Sequence, residues 1–279
     1  MSYFYNPYVC MARNRLRRKY MTGAAMTLLL LMTAMCSTSA MAIDRSLDIS
    51  ASAEAVTVVM KVPQALKPEK LEVMYRSEIC KRISPNASGI LRETNGFNSM
   101  DVVFVPYQGD GSYIAKAPIN GGGECNWKLS NIAFGAAYRD TSEFGENVRY
   151  SGGAGISVSF DEQRPRRGGG GSTKVEGDLY VKQDYYPWIG EHFLGGYMRV
   201  LRLVGDRNLY KRYNAYQARN IYFEPVLHSA FVARSESPSV KAEGNRTIFT
   251  YPDGTSKPEA AGRPSFRKLQ EIRLASERG

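Results

Sequence analysis

Histidine and cysteine are scarce in this sequence, which narrows the chemistry that the chain can perform. In 279 residues there are two histidines, His192 and His228, and four cysteines. The histidines form neither an H-x-x-x-H nor an H-E-x-x-H arrangement, and no Gly-x-Ser-x-Gly nucleophile elbow is present. We therefore expect no metal ion and no cofactor. A binding protein is favoured over an enzyme, although the sequence leaves the question open.

The remaining candidates for chemistry rest on weak patterns. Residues 168–174 are glycine-rich, but they lack the Gly-Lys-Ser/Thr order of a phosphate-binding loop, so a solvated loop is expected. Glu191 precedes His192, and neighbouring side chains of an extended segment point in different directions, which favours an ordinary loop. Paired carboxylates for glycoside cleavage have no sequence signature, so an envelope hydrolase stays an alternative.

Long apolar runs are missing except near the amino terminus. Residues 1–42 carry five basic side chains and no acid, and the apolar residues 21–35 are followed by small residues ending at Ala42. This order is typical of a bacterial secretory signal, and the run is short for a membrane span. We expect a signal peptide over residues 1–42, cleavage after Ala42, a periplasmic location and no stable membrane span. An uncleaved anchor is the alternative, and the chain can start at Met1 or Met11.

The net positive charge of the chain is small once residues 1–42 are removed. The whole chain has 37 Lys and Arg against 27 Asp and Glu, whereas residues 43–279 have 32 against 27. The excess lies in residues 197–219, where six basic side chains accompany the single acid Asp206. A diffusely basic, nucleic-acid-binding protein is therefore not expected.

Two cysteines, Cys80 and Cys125, lie outside the expected signal peptide. In an exported chain such a pair most simply forms one disulfide, and closing this loop would stabilise the fold by about 4 kcal/mol. A redox-active pair usually has Cys-x-x-Cys spacing, which is absent.

The expected chain after cleavage has the pattern of a mainly β protein. Short runs rich in Val, Ile, Phe, Tyr and Thr are bounded by Gly, Pro, Asn or Asp, which indicates strands. These runs are residues 56–62, 71–76, 101–107, 112–117, 127–138, 155–160, 178–183, 197–204, 221–233 and 246–251. Their number and close spacing predict an antiparallel β-sandwich or barrel-like domain over residues 43–279.

Helical periodicity is rare. It occurs in residues 266–272 and in residues 208–218, although the second segment could equally be a tyrosine-rich loop. Residues 161–174 contain four consecutive glycines and predict a long hairpin loop or, alternatively, a linker that divides the domain.

Aromatic residues are dense between residues 180 and 223, which hold eight of the 18 tyrosines and one of the two tryptophans. Tyrosine suits protein interfaces and sugar stacking, but also the core of a β protein. Because Arg and Tyr are enriched at interface anchors, the basic part of this region is the predicted binding segment. Its candidate residues are Arg199, Arg202, Arg207, Tyr210, Lys211, Arg212, Tyr213, Tyr216 and Arg219.

These observations favour a non-enzymatic periplasmic binding protein. The leading hypothesis is an acidic protein partner, as for an immunity protein that neutralises a toxin. The first alternative is an envelope polyanion or glycan, including an anionic lipid headgroup. A surface structural subunit is a further alternative.

Overall fold

The computed structural model describes residues 42–163, 171–206 and 210–278, and Ile43–Gly279 form one compact unit. Most of the predicted signal peptide, residues 164–170 of the predicted hairpin loop or linker, and Arg207 lie outside the described residues. Strands on both sides of residues 161–174 join the same two sheets. In the described part of the chain, no helix has the length and apolar character needed to cross a membrane.

The described residues form eighteen strands, one α-helix and a short 3-10 helix (Ser142–Phe144). The strands are β1 (Ala55–Lys61), β2 (Leu66–Pro68), β3 (Leu71–Pro85), β4 (Leu91–Val102), β5 (Val105–Tyr107), β6 (Ser112–Pro118), β7 (Asn120–Gly122), β8 (Trp127–Tyr138), β9 (Val148–Tyr150), β10 (Ala154–Ser159), β11 (Thr173–Lys174), β12 (Leu179–His192), β13 (Met198–Val204), β14 (Tyr210–Asn214), β15 (Asn220–Leu227), β16 (Ala233–Glu236), β17 (Ile248–Thr250) and β18 (Ser256–Pro258). The helix α1 spans Phe266–Ser276.

The strands build two sheets. The ten-stranded sheet has the order β18-β17-β16-β12-β15-β1-β6-β5, with β13 paired to β12 and β9 paired to β13. The eight-stranded sheet has the order β11-β14-β10-β8-β3-β4, with β2 and β7 paired to β8. Alternation in β1 turns Val56, Val58 and Met60 inward, because successive side chains of a strand face opposite sides.

Both sheets contribute to one hydrophobic core. Phe134 of β8 and Phe223 of β15 belong to different sheets, and their ring centroids are 6.0 Å apart. Inward residues of β1, β3, β10 and β12 join the same buried cluster. The arrangement is consistent with the predicted β-sandwich.

The prediction of a mainly β fold is confirmed, but the prediction of purely antiparallel sheets is wrong. β15 runs parallel to both β1 and β12, and β10 runs parallel to β14. Alternation of apolar and polar residues identifies a strand and its buried face, whereas it carries no information on the direction of the neighbouring strand.

The two helical predictions have opposite outcomes. α1 forms where residues 266–272 show helical periodicity, and the Ser265 hydroxyl caps it by accepting a hydrogen bond from the Lys268 amide. The helix prediction for residues 208–218 is wrong, because residues 210–214 form β14. Pairing with β10 and burial of Tyr213 outweigh the weak helical spacing there.

The predicted disulfide is present. Cys80, in an irregular part of β3, is bonded to Cys125 in the turn before β8. The Ser77 hydroxyl donates a 2.6 Å hydrogen bond to the Cys125 carbonyl oxygen and accepts one from the Cys80 amide. These contacts fix the point where β3 leaves its pairing with β8.

α1 covers one part of the outer face of the ten-stranded sheet. A second buried cluster lies beneath it, with Tyr186 of β12, Val204 of β13 and Leu269 of α1 among its members. The Tyr186 ring meets the Phe266 ring at 5.7 Å between centroids. The rest of this outer face, over β5, β6, β1, β15 and the beginning of β12, carries the candidate site.

Candidate functional site

An open groove lies on the uncovered part of the outer face of the ten-stranded sheet. Its volume is about 620 Å³, and we call it the tyrosine groove. Residues that line it include Thr57, Val59, Lys61, Tyr107, Ile114, Tyr180, Lys182, Asn220, Tyr222 and Glu224. The groove crosses five adjacent strands, which corresponds to about 19 Å between the first and last strand axes.

The strand register sets an apolar row across the outer face of the sheet, and four of its five members line the groove. Tyr180 pairs with Tyr222, Tyr222 with Val59, Val59 with Ile114, and Ile114 with Val105. Because paired residues share a face, all five side chains point outward. The row therefore continues from the inner strand β12 to the edge strand β5.

Two stacked tyrosines form the most exposed end of this row. The rings of Tyr180 and Tyr222 lie 4.7 Å apart between centroids, with an angle of 7° between their planes. Tyr180 is 72% exposed and Tyr222 is 38% exposed. Stacking holds both rings in fixed positions, so their free faces and hydroxyl groups are presented to solvent.

Polar side chains flank the apolar row on the side of Lys182. The Lys182 ammonium lies 2.8 Å from the Glu224 carboxylate, and the Lys61 ammonium lies 3.2 Å from that of Asp110. Hydrogen bonding from Ser112 and the nearby Lys61 lower the pKa of Asp110, so this acid is ionised near neutral pH. Both lysines that line the groove are therefore compensated by a carboxylate.

On the other side of the row, Thr57 pairs with Asn220. The Asn220 side chain donates a 2.8 Å hydrogen bond to Asp178, and the Asn220 and Arg219 amides also donate to this carboxylate. The bond from the Asn220 side chain is the largest cause that lowers the pKa of Asp178. Asp178 thus fixes the start of β15 against the start of β12.

The structure divides the predicted binding segment between the two sheets. Arg199 and Arg202 lie on β13 of the ten-stranded sheet, whereas Tyr210, Lys211, Arg212 and Tyr213 lie on β14 of the eight-stranded sheet. Tyr216 and Arg219 follow in the exposed connection to β15, and Arg207 lies outside the described residues. The eight described residues of the segment do not form one continuous row as the groove residues do.

Several members of the segment are occupied by contacts within the fold. Arg199 lies 3.1 Å from the Glu191 carboxylate, and the Arg202 guanidinium lies 4.9 Å from the centroid of the Trp188 ring. Burial lowers the pKa of Arg202.

On the eight-stranded sheet, Lys211 lies 3.7 Å from Asp206, and Tyr213 is buried in the main core. The Tyr210 ring packs against Gly155, where an added Cβ would lie 2.6 Å from the ring.

The expected loop at Glu191 and His192 is wrong, because both residues lie on β12, where neighbouring side chains point to opposite faces. Glu191 faces Arg199 on β13, whereas the His192 ring lies beside Gly190 on the other face of the strand. Burial and the nearby Arg202 lower the pKa of His192. The pair therefore does not act as one acid–base unit.

A closer acid–histidine pair joins Asp184 of β12 to His228, 44 residues later in the chain. His228 Nε2 lies 2.7 Å from Asp184 Oδ1, and the His228 ring stacks on the Tyr186 ring. Gln270 of α1 donates to Asp184 Oδ2 at 2.9 Å, and Arg273 Nε donates to the Tyr186 hydroxyl at 3.0 Å. The cluster thus fastens α1 to the sheet.

Burial and hydrogen bonding have opposite effects on the pKa of Asp184. Burial raises its pKa, but the hydrogen bonds from His228 and Gln270 outweigh burial and leave the pKa below the ordinary value of 3.8. The parallel pairing of β12 with β15 brings Asp184 and His228 together. Because the sequence did not reveal that pairing, no spacing signal could have identified them.

Within residues 42–163, 171–206 and 210–278, no cluster of His, Cys, Asp and Glu has the arrangement of a metal site. The chain matches no protein-family model, no curated protein and no solved structure. The geometry of the tyrosine groove is therefore the basis for the functional proposal.

Proposed function

We propose that the protein is an exported, non-enzymatic binding protein whose tyrosine groove holds an extended, uncharged glycan chain. The observation that carries this proposal is the exposed Tyr180–Tyr222 stack at the end of an apolar row across five strands. A sugar ring has apolar C–H faces and a rim of hydroxyl groups, so it matches an aromatic floor with polar edges.

The dimensions of the groove support a chain rather than a single sugar. The row runs about 19 Å across the strands. Its floor is open along this length, and Thr57, Asn220, Lys182 and Glu224 offer hydrogen-bonding groups beside it. A linear glycan can therefore contact several strands at once.

Charge favours a neutral ligand over a polyanion. Lys182 and Lys61 are each paired with a carboxylate, so an anionic polymer would have to compete with Glu224 and Asp110 for them. Salt bridges at exposed sites are weak, but they cancel the local potential that attracts a polyanion.

The proposal also includes the location of the protein, which we place in the periplasm. The Cys80–Cys125 disulfide supports an oxidising compartment such as the periplasm. An acidic protein partner, with the immunity function as its example, remains a prediction. Its segment is divided between two sheets, which supports the tyrosine groove as the better candidate.

The proposal is tested by measuring binding of residues 43–279 to immobilised neutral glucans, mannans and N-acetylglucosamine oligomers, beside polygalacturonate and heparin. We expect binding to a neutral glycan that changes little between 20 mM and about 150 mM salt, because no ion pair is formed. Binding only to the two acidic polymers, with a steep loss in salt, would contradict the proposal. Absence of binding across the whole set would contradict it as well.

A further inference from the structure

A two-stranded arm extends from the eight-stranded sheet, whereas the tyrosine groove lies on the ten-stranded sheet. The pairing of β3 with β8 begins at Glu72 and ends at Arg76. Beyond Ser77, the described pairing of β3 is with β4 alone. We call residues 79–94 the arm. Isolated two-stranded hairpins are marginally stable in water, so the arm depends on how its base is held.

The base of the arm is fixed by covalent and hydrogen-bonded contacts. Cys80 is held by the disulfide, and its carbonyl lies so close to Gly96 of β4 that no Cβ would fit there. Arg45, from the chain before β1, donates to the Lys81 carbonyl at 3.1 Å, and its own carbonyl accepts from Asn98 at 2.9 Å. The arm therefore leaves the sheet from a rigid support.

The arm exposes large aliphatic side chains from its base to its turn. Ile83 is 70% exposed, Leu91 is 68% exposed, Ile90 is 62% exposed and Ile79 is 57% exposed. The turn between the strands is well ordered, because the Asn86 side chain accepts hydrogen bonds from the Ser88 and Ile90 amides. The exposure is thus a property of a defined hairpin.

The register gives the arm two unlike faces. Pairing of Pro85 with Leu91 and of Ile83 with Glu93 places three apolar side chains and the acid Glu93 on one face, with the Pro85–Leu91 pair nearest the turn. Pairing of Ser84 with Arg92 and of Arg82 with Thr94 places two arginines and two hydroxyl groups on the other face. Residues 79–94 contain Lys81, Arg82 and Arg92 against the single acid Glu93.

We propose that the arm docks on an anionic lipid surface, with its aliphatic side chains in the outer layer of the bilayer and its arginines at the headgroups. An aliphatic face with basic residues beside it is the composition of interfacial membrane anchors. This inference goes beyond the proposed glycan binding and does not depend on it.

The size and composition of the exposed apolar surface of the arm distinguish lipid from a protein partner. The four exposed aliphatic side chains of the arm, on whichever face they lie, present on the order of 300 Å², whereas a standard protein interface buries about 800 Å² on each partner. Protein hot spots are enriched in Trp, Tyr and Arg, while leucine is under-represented. The apolar end of the arm consists of isoleucine, leucine and proline.

The test is co-sedimentation of residues 43–279 with lipid vesicles. This chain excludes the apolar residues 21–35, which could bind lipid by themselves. We expect binding to vesicles of phosphatidylglycerol and phosphatidylethanolamine, and weaker binding to vesicles of phosphatidylcholine. The variant Ile83→Ser/Leu91→Ser should lower the partition coefficient about tenfold or more. Arg82→Gln/Arg92→Gln should lower it several-fold on the anionic vesicles alone.

The matched control is Val240→Ser/Ile248→Ser, which removes two exposed aliphatic side chains elsewhere. Its partition should equal that of the unchanged chain. Circular dichroism and the retained disulfide establish that each variant is folded. Absence of binding to the anionic vesicles, unchanged binding of the Ile83/Leu91 variant or an equal loss in the control would overturn the proposal. If the chain does not bind the anionic vesicles, the arm would instead be expected to dock in a groove of another protein.

Discussion

Tyr180 and Tyr186 lie on the same face of the same strand, six residues apart, and their surroundings are opposite. Tyr180 is 72% exposed and stacks on Tyr222, whereas Tyr186 is completely buried beneath α1. The difference arises because α1 covers only the later part of β12. A tyrosine that the fold needs for packing is thus distinguished from one that it leaves available for a ligand.

The boundary between the two regions is a polar cluster. Asp184, between the two tyrosines on β12, binds His228 and Gln270, so the edge of α1 is fixed by hydrogen bonds. If α1 extended over the neighbouring strands, the tyrosine groove would be closed. The helix α1 therefore defines how much of this outer face is covered.

The strongest effect is expected at the covered tyrosine. Tyr186→Ala removes a fully buried ring that contacts Phe266 and His228, and it should lower the free energy of unfolding by about 3–5 kcal/mol. Urea unfolding measures this, with the exposed Tyr197→Ala as control. Equal stabilities of the two variants would show that α1 does not cover this region.

Leu269→Ala should have the next largest effect, about 3 kcal/mol, because Leu269 is fully buried beneath the helix. On the same helix, Leu274 is 44% exposed, so Leu274→Ala should cost less than about 0.5 kcal/mol. Thermal unfolding compares the pair. A similar loss in both variants would contradict the assigned orientation of α1.

Asp184→Asn should lower stability by about 1–3 kcal/mol at pH 7, since it removes the charged acceptor that holds His228 and Gln270. Because the pKa of Asp184 is lowered in the fold, its stabilising contribution is present above pH 3.8 and is lost as the pH falls through the lower folded value. Unfolding curves from pH 7 to pH 2.5 should therefore converge for the unchanged chain and the variant. Asp206→Asn, which affects the exposed pair with Lys211, serves as control. A constant difference over the whole range would contradict the assignment.

The smallest effect on stability is expected at the open tyrosine. Tyr180→Ala should cost less than about 1 kcal/mol, because it loses one cross-strand ring contact and little buried area. The same urea measurement applies. A loss as large as that of Tyr186→Ala would mean that Tyr180 is a structural residue, which would remove the basis of the proposed function.

The sequence predicts the individual strands better than their assembly. β1 and β8 form where apolar patterning indicates them, and the disulfide follows from the two cysteines. The parallel pairings of β15 were not predictable, because alternation is the same in parallel and antiparallel strands. The tyrosine groove depends on those pairings, so the sequence could not indicate which residues line it together.

The choice of candidate binding residues also shows what the sequence cannot predict. The aromatic region of residues 180–223 contains both Tyr180 and Tyr222, but the predicted binding residues are the basic residues and tyrosines between them. Tyr213, one of the chosen residues, is buried in the main core, while Tyr180 is open. Composition located the region, whereas only the fold separates its packing tyrosines from its exposed ones.

The most direct test of the central claim compares two double variants by calorimetric titration with the neutral glycan that binds the unchanged chain. Tyr180→Ala/Tyr222→Ala removes the stack, and Tyr197→Ala/Tyr216→Ala removes two tyrosines of similar exposure outside the groove. The account predicts a loss of affinity of about 30-fold or more for the first variant and unchanged affinity for the second. Unchanged affinity in the first variant, or an equal loss in both, would contradict it.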